Sequence, residues 1–466
     1  MMDFRGRRVT VVGLGIEGVD MVRYLVGRGA LVTVSDAKPP ERLAERLREI
    51  EGLPVALSLG ENDPEVIAGA DCVFVSQGVP LDLPGIEAAR RRGVPVLSML
   101  ALFLELCPGP VVGITGSSGK TTTTSLVAEV FRAEGLPHFL GGNIGVGLLQ
   151  HLAVLHPYTW VVLEVSHTQL QLVWRSPHVA AVLNITPNHL DRFTWDEYRA
   201  LKANILRYQG PGDWAVLGYD DAEARALAPR VRGRVLFFTL GNELPGDGVL
   251  VSRGRAVWQC DGRREALFPL SSVRLRGRHN FQNALAAAAI ARACGLSPRA
   301  IARAVASFRG VEHRLELVAV IDGVEYYNDS IATTPARTLA GLRCFEQPVV
   351  LLLGGREKHL PLEELAQEAC RRCRAVVLFG EAAPKLEAAL LEAAAALPEE
   401  RRPPLVRVGG LAEAVEAARS LARPGDAVLL SPACASYDAY DNFEERGRHF
   451  RQLVLALVKE GEPSLA

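Results

Sequence analysis

The stretch Gly113-Ile-Thr-Gly-Ser-Ser-Gly-Lys-Thr-Thr-Thr-Thr124 limits the fold of this chain more than any other. Apolar Pro110-Val-Val precedes it, and Leu126, Val127, Val130 and Phe131 follow at helical spacing. A strand, a glycine-rich turn and a helix start, in that order, set backbone N–H groups at the positive end of a helix dipole. That is a cradle for phosphate. Gly116, Ser117, Ser118, Gly119 and Thr122 are the expected ATP-binding positions around Lys120, whose amine reaches the terminal phosphates. Thr121 offers a hydroxyl to magnesium. The common form of this loop has a glycine five positions before Gly119, where Ile114 stands; here the glycines are Gly113, Gly116 and Gly119.

Composition adds one sharp clue. Of 52 basic residues only Lys38, Lys120, Lys202, Lys358, Lys385 and Lys459 are lysine. A chain that builds its surface charge from arginine keeps lysine where the primary amine is needed. Lys202 and Lys358 therefore join Lys120 as candidates, whereas chance survival suffices for Lys385 and Lys459. A net charge of −1 argues against a nucleic-acid surface and for small charged substrates. No apolar run has membrane-spanning length and no leader precedes the first strand, so a cytoplasmic protein without a membrane partner is expected. The eight cysteines are scattered, as in reduced cytosolic proteins. Cys370-Arg-Arg-Cys373 has metal-ligand spacing but no second pair, and a structural role is expected for it.

Three segments follow one another. Residues 1–99 open with Arg8-Val-Thr-Val-Val-Gly13-Leu14-Gly15-Ile-Glu-Gly18, a helix, and Leu31-Val-Thr-Val-Ser-Asp36. Strand, GxGxxG, helix and strand with a following acid make a dinucleotide fingerprint, which alone reads as an NAD-dependent dehydrogenase. Residues 100–310 carry the phosphate loop, Gly141-Gly-Asn143-Ile-Gly145, and the buried strand Trp160-Val-Val-Leu-Glu164-Val-Ser166. They continue with Thr186-Pro-Asn-His189-Leu-Asp-Arg192 and a helix around 196–208 bearing Lys202. Glu164 and His189 lie at or just past the C-terminal ends of apolar runs, the ligand edge of a parallel sheet. Asn280 and Asn283 share a helical face, suited either to an adenine edge or to capping. Residues 311–466 alternate strands and helices again.

Gly113–Thr121, Gly141–Gly145, Asn188–Arg192, Gly277–Asn283, His313-Arg314, Asn328-Asp-Ser330 and Leu353-Gly-Gly355 together resemble the Mur ligases, over almost the whole chain. Leu430-Ser-Pro-Ala-Cys-Ala-Ser436 through Gly447 looks like the C-terminal signature of the D-glutamate-adding members. The resemblance implies an α/β protein of three domains: a Rossmann-like N-terminal domain, a P-loop-type central ATPase domain and a Rossmann-like C-terminal domain. It implies an ATP-dependent ligase, expected to be a monomer, that activates UDP-N-acetylmuramoyl-L-alanine as an acyl phosphate. D-glutamate then attacks. Lys120, His189 and Lys202 would be catalytic, and Thr121, Glu164, His189 and a carbamylated Lys202 would hold Mg2+. Asn280, Asn283, Arg314 and Asp329 match nucleotide contacts.

The resemblance also changes the meaning of the N-terminal fingerprint. Gly13, Leu14, Gly15, Asp36 and Gly78 would bind the uridine diphosphate, with Asn143, Ser166 and His189 completing that substrate's site. Thr333, Lys358, Ser436 and Phe443 match the amino-acid pocket. Two departures stand out: Ile331 replaces a family lysine, and His167, Thr168 and Gln171 alter the usual Ser-Ser-Phe-Gln-Leu-Glu. Retention of D-glutamate is the expectation; the alternatives are an L-glutamate ligase on the same UDP-muramoyl scaffold, another ligase of the superfamily such as a folate-type one, and an NAD-dependent dehydrogenase or nucleotide-binding regulator without ligase activity.

Overall fold

The computed structural model describes residues 3–144, 147–188, 192–275, 277–358 and 360–461. His189, expected among the metal and substrate ligands, lies outside the described residues, as do Gly145 and Asp191 of the motifs above. The chain forms two compact units, Met1–Arg274 with Arg278–Phe308, and Leu275–Gly277 with Arg309–Ala466.

The first unit contains two sheets. One is wholly parallel, in spatial order Val55–Leu59, Leu31–Asp36, Arg8–Val12, Cys72–Val75 and Val96–Leu97. Its central strands are apolar on both faces, as a sheet covered by helices requires. Strand order reverses between Arg8–Val12 and Cys72–Val75, so the turn from Gly13 and the loop from Ser76 open beside each other.

The second sheet has nine strands. Its parallel part runs Gly248–Ser252, Arg234–Phe238, Trp214–Gly218, Val179–Val182, Val111–Thr115, Trp160–Glu164 and His138–Gly142. Arg255–Cys260 and Arg263–Pro269 add an antiparallel edge. Val111–Thr115 sits between two neighbours reached in opposite directions, so the phosphate loop leaves at a switch point. Helix Lys120–Glu134 buries Leu126, Val127, Val130 and Phe131, and ends at Gly135 in the left-handed region. It packs on helix Arg278–Ala293, whose unbroken alanine face permits close approach.

The two sheets of this unit are clasped by Asp20. This carboxylate is 4% exposed and accepts the backbone N–H groups of Leu149 (2.8 Å) and Gln150 (3.1 Å). The helix expected around 196–208 is shorter, Trp195–Ala203, followed by a 3-10 turn at Asn204–Leu206. Thr194 and Glu197 form a capping box at its start. At its end the Asn204 amide donates to the Leu170 carbonyl (3.2 Å), and the tighter turn replaces further α-helix.

The second unit is a six-stranded sheet in the order Glu316–Ile321, Val324–Asn328, Ala427–Ala433, Val349–Gly354, Cys373–Phe379 and Leu405–Arg407. All its pairs are parallel except the first. Cys370 ends a helix with its thiol buried and donating to Leu390 O, and Cys373 opens a strand.

Candidate active site

The phosphate loop is held by its neighbours rather than by its own sequence. Ser117 N–H donates to Asn184 O (3.0 Å), and Ser118 N–H to Asn184 Oδ1 (2.9 Å). The Ser117 hydroxyl donates to Thr186 O (3.0 Å) and lies 3.1 Å from the Tyr198 hydroxyl. Gly119 has φ +80°, and a Cβ there would sit 2.3 Å from Asn283 Oδ1. Only glycine allows both that turn and that approach. Thr121 and Thr122 follow half-buried in the first helical turn.

Asn283 is buried beneath the loop and donates to Asn280 Oδ1 (2.9 Å). The two amides thus pair with each other at the start of their helix. A cleft of about 340 Å³ opens beside the loop, lined by Ser118, Gly119, Asn184, His279, Gln282 and Asn283 among others.

Lys202 is 1% exposed, and its Nζ donates to Gly116 O at 2.8 Å. The amine also lies 4.8 Å from the centre of the Tyr198 ring, one helical turn earlier. Burial, and then the charge of Lys120, lower its pKa from 10.5 to about 7. A substantial share of the side chain is therefore the neutral, nucleophilic amine near neutral pH. Lys120 Nζ donates to the same carbonyl, Gly116 O, at 3.0 Å.

Glu164 ends the strand beside the loop and is 3% exposed. Its Oε1 accepts from Asn143 Nδ2 (2.9 Å), while its buried Oε2 has no hydrogen-bond partner among the described residues. An unpartnered buried carboxylate oxygen is costly unless a ligand satisfies it. A buried carboxylate oxygen is a donor of the kind a hard cation such as magnesium takes.

At the first sheet, Leu14 N–H donates to Asp36 Oδ2 (2.7 Å), and Lys38 N–H to Asp36 Oδ1 (2.9 Å). Asp36 thus shapes the Gly13–Gly15 turn directly. The Ser76 hydroxyl bridges to Gly13 O (2.5 Å), and Gly78 follows with φ +93°. Ser166 N–H donates to Gln169 Oε1 (3.0 Å), and its hydroxyl lies 3.0 Å from Thr168 Oγ1.

In the second unit the remaining predicted residues follow the C-terminal ends of three adjacent strands. Asp329 is 4% exposed and accepts from Ser431 Oγ (2.8 Å) and Leu315 N–H (3.2 Å); burial pushes its pKa up to about 7. Lys358 Nζ donates to Thr333 Oγ1 (3.1 Å), and partial burial lowers its pKa. Ser436 is buried, and the Phe443 ring lies edge-on to His313 at 6.3 Å. Arg314 is half-buried two residues before the first strand. Ile331 is half-buried, and its carbonyl accepts from Arg337 (3.3 Å).

Arg446 was not singled out in the sequence. Fully buried, its guanidinium donates to Ser330 Oγ (3.0 Å) and Ser330 O (3.0 Å), and also to the carbonyls of Gly354, Cys434 and Ala435. It thereby ties together the three loops that carry Thr333, Lys358 and Ser436. Tyr198 was also missed, although its i,i+4 spacing from Lys202 was available in the sequence.

A glycine-rich loop at a sheet switch point, beside a carboxylate oxygen with no partner among the described residues, and a separate GxGxxG turn are the features of a nucleotide-dependent enzyme. The chain belongs to the Mur ligase family, the ATP-dependent ligases that form amide bonds. The MurD-like N-terminal domain matches residues 7–98, the Mur ligase middle domain 114–291, and the glutamate ligase domain 313–434. The chain is 46% identical to the UDP-N-acetylmuramoylalanine--D-glutamate ligase of Symbiobacterium thermophilum, over 97% of this chain and 98% of that one. To the protein of the same name from Pelotomaculum thermopropionicum it is 41% identical, over 98% and 100%. Among solved structures, UDP-N-acetylmuramate-alanine ligase MurC from Thermotoga maritima has the same fold at 19% identity and a TM-score of 0.54, covering 97% of this chain and 100% of that one.

Proposed function

We propose that this protein joins D-glutamate to UDP-N-acetylmuramoyl-L-alanine, with cleavage of ATP to ADP and phosphate, as a cytoplasmic monomer of peptidoglycan synthesis. The observation that carries this reading is the full-length similarity to relatives of that name. In this scheme the substrate carboxylate attacks the γ-phosphorus of ATP, and the bond to the ADP oxygen breaks. The amine of D-glutamate then attacks the acyl phosphate, loses a proton, and the tetrahedral intermediate collapses to amide and phosphate.

Phosphoryl transfer between anions needs alignment and charge neutralisation more than covalent help. Lys120 would carry the charge on the β- and γ-phosphates, with the loop N–H groups holding them in line. Glu164 and Thr121 would hold one magnesium ion, and His189 with a carbamate on Lys202 a second; bound there, the ions would supply further neutralisation of the phosphates. Carbamylation of Lys202 requires the neutral amine, and the lowered pKa supplies it. Asn280 and Asn283, with Arg314 and Asp329, would complete the nucleotide site. The Gly13–Gly15 turn with Asp36, Gly78, Asn143 and Ser166 would take the UDP-substrate. Thr333, Lys358, Ser436 and Phe443 would take the amino acid.

The test is phosphate release with UDP-N-acetylmuramoyl-L-alanine, ATP and magnesium, comparing D- with L-glutamate. Release with D-glutamate is expected. Release with L-glutamate alone would reassign the acceptor and make Ile331 its marker, and no release with either would refute the reading.

A further inference from the structure

The side-chain amide of Asn143 has a donor end and an acceptor end, and its surroundings decide which faces where. A carboxylate offers acceptors only, so Asn143 turns its NH2 to Glu164 Oε1 (2.9 Å). Its Oδ1 must then meet a donor, and Gln77 Nε2 stands 2.9 Å away. The backbone leaves the pair little freedom. Asn143 N–H donates to Glu164 O (2.8 Å), and a Cβ on the preceding Gly142, at φ +94°, would lie 2.2 Å from that same oxygen. Rotation of the amide is what remains.

Gln77 is anchored in turn. Its N–H donates to Glu17 Oε2 (2.8 Å), and Glu17 Oε1 accepts from Gln169 Nε2 (2.7 Å). Gln169 Oε1 accepts the Ser166 N–H two residues beyond Glu164 (3.0 Å), which closes a ring of hydrogen bonds. Glu17 sits in the first turn of the helix after the Gly13–Gly15 turn, and Gln77 in the loop from the adjacent strand. The ring therefore joins the diphosphate-type turn to Glu164.

We propose that Gln77 is a positioning residue for the metal-binding carboxylate: its side-chain NH2 fixes the Asn143 amide, which orients Glu164 so that Oε2 faces the cation. The proposal rests on the magnesium assignment in the ligase reading above. Partners outside the ligand shell govern metal affinity by this kind of orientation.

Two variants separate orientation from charge and from mere contact. Gln77→Glu keeps size but presents only acceptors, so Asn143 must leave its Oδ1 facing one of two carboxylates. Simple Coulomb attraction predicts tighter cation binding in this variant; misorientation predicts weaker. Gln77→Met removes the donor without adding a competing acceptor, so the Asn143 amide loses the bond that fixes it but is not turned against Glu164. The probe is Mn2+ titrated into the full chain with a non-hydrolysable ATP analogue, read by electron paramagnetic resonance, with Tm measured alongside. The expected result is Mn2+ affinity about 10–100-fold weaker in Gln77→Glu and weakened measurably, but by less, in Gln77→Met, with Tm unchanged in both.

Unchanged or tighter Mn2+ binding in Gln77→Glu would overturn the proposal, and so would wild-type Mn2+ affinity in Gln77→Met. The titration needs no UDP-substrate, so its outcome is separate from the ligase assay. Wild-type phosphate release with undiminished Mn2+ affinity in Gln77→Glu sinks the relay alone. A loss in Gln77→Glu without wild-type release sinks the substrate reading alone.

Discussion

Lys120 and Lys202 donate to one oxygen, the carbonyl of Gly116, at 3.0 and 2.8 Å. Burial first, and then the charge of Lys120 on the same acceptor, lower the Lys202 pKa to about 7. One loop carbonyl thus couples the two lysines, proposed for the ATP phosphates and for the metal.

Lys120→Ala is expected to lower kcat by about 10²–10³-fold, the usual loss when one charge-stabilising donor is removed. Phosphate release under saturating substrates measures it. Turnover near wild type would remove Lys120 from the assigned role.

Lys202→Ala should lose turnover and recover part of it with added short carboxylates, which replace the carbamate oxygens. Stability gives a second readout. Between about pH 7 and 10.5 the unfolded chain holds a proton on Lys202 that the folded chain has released. This group therefore makes the folded state more stable as pH rises through that window, and contributes a constant penalty below it. Lys202→Met should abolish the slope and gain about 1–3 kcal/mol at pH 7 by removing a buried amine. Tm against pH, in buffer free of CO2, checks both.

Asp329 has the opposite sign. Burial raises its pKa from 3.8 to about 7, so between these values the folded chain retains a proton that the unfolded chain has lost. Stability from this group falls as pH climbs through that range, by at most about 1.4 kcal/mol per pH unit. Asp329→Asn should flatten the dependence while its Oδ1 still accepts from Leu315 N–H. Parallel Tm–pH curves for the two proteins would refute the shift.

Gly119→Ala is expected to cost about 1–3 kcal/mol through its left-handed backbone, together with most nucleotide affinity. Its methyl would press on Asn283 Oδ1. Calorimetric titration with ADP and a thermal melt measure the two effects, and an unaltered nucleotide affinity would contradict the placement of Asn283 under the loop.

The phosphate loop, the GxGxxG turn and the buried strand ending at Glu164 were legible because each is a local pattern whose residues lie within one strand–turn–helix unit. The helix bearing Lys202 was read too long, since its end depends on Asn204 reaching Leu170, a contact far away in the chain. Arg446 was overlooked for a similar reason. In the sequence it is one arginine among many, and only folding buries it among the carbonyls of Ser330, Gly354, Cys434 and Ala435.

Local patterns name the class of chemistry: a glycine-rich loop of displaced spacing, a second GxGxxG turn, and lysine retained at 120 and 202 in an arginine-rich chain. How those groups act depends on the packed chain. The lowered pKa of Lys202, the Glu164 Oε2 that has no partner among the described residues, and the Gln77–Asn143 hydrogen bond arise from burial and from contacts between residues distant in the chain. Local patterning sets which groups are present. Desolvation and directional partners, which exist only once the chain has packed, set their protonation and aim.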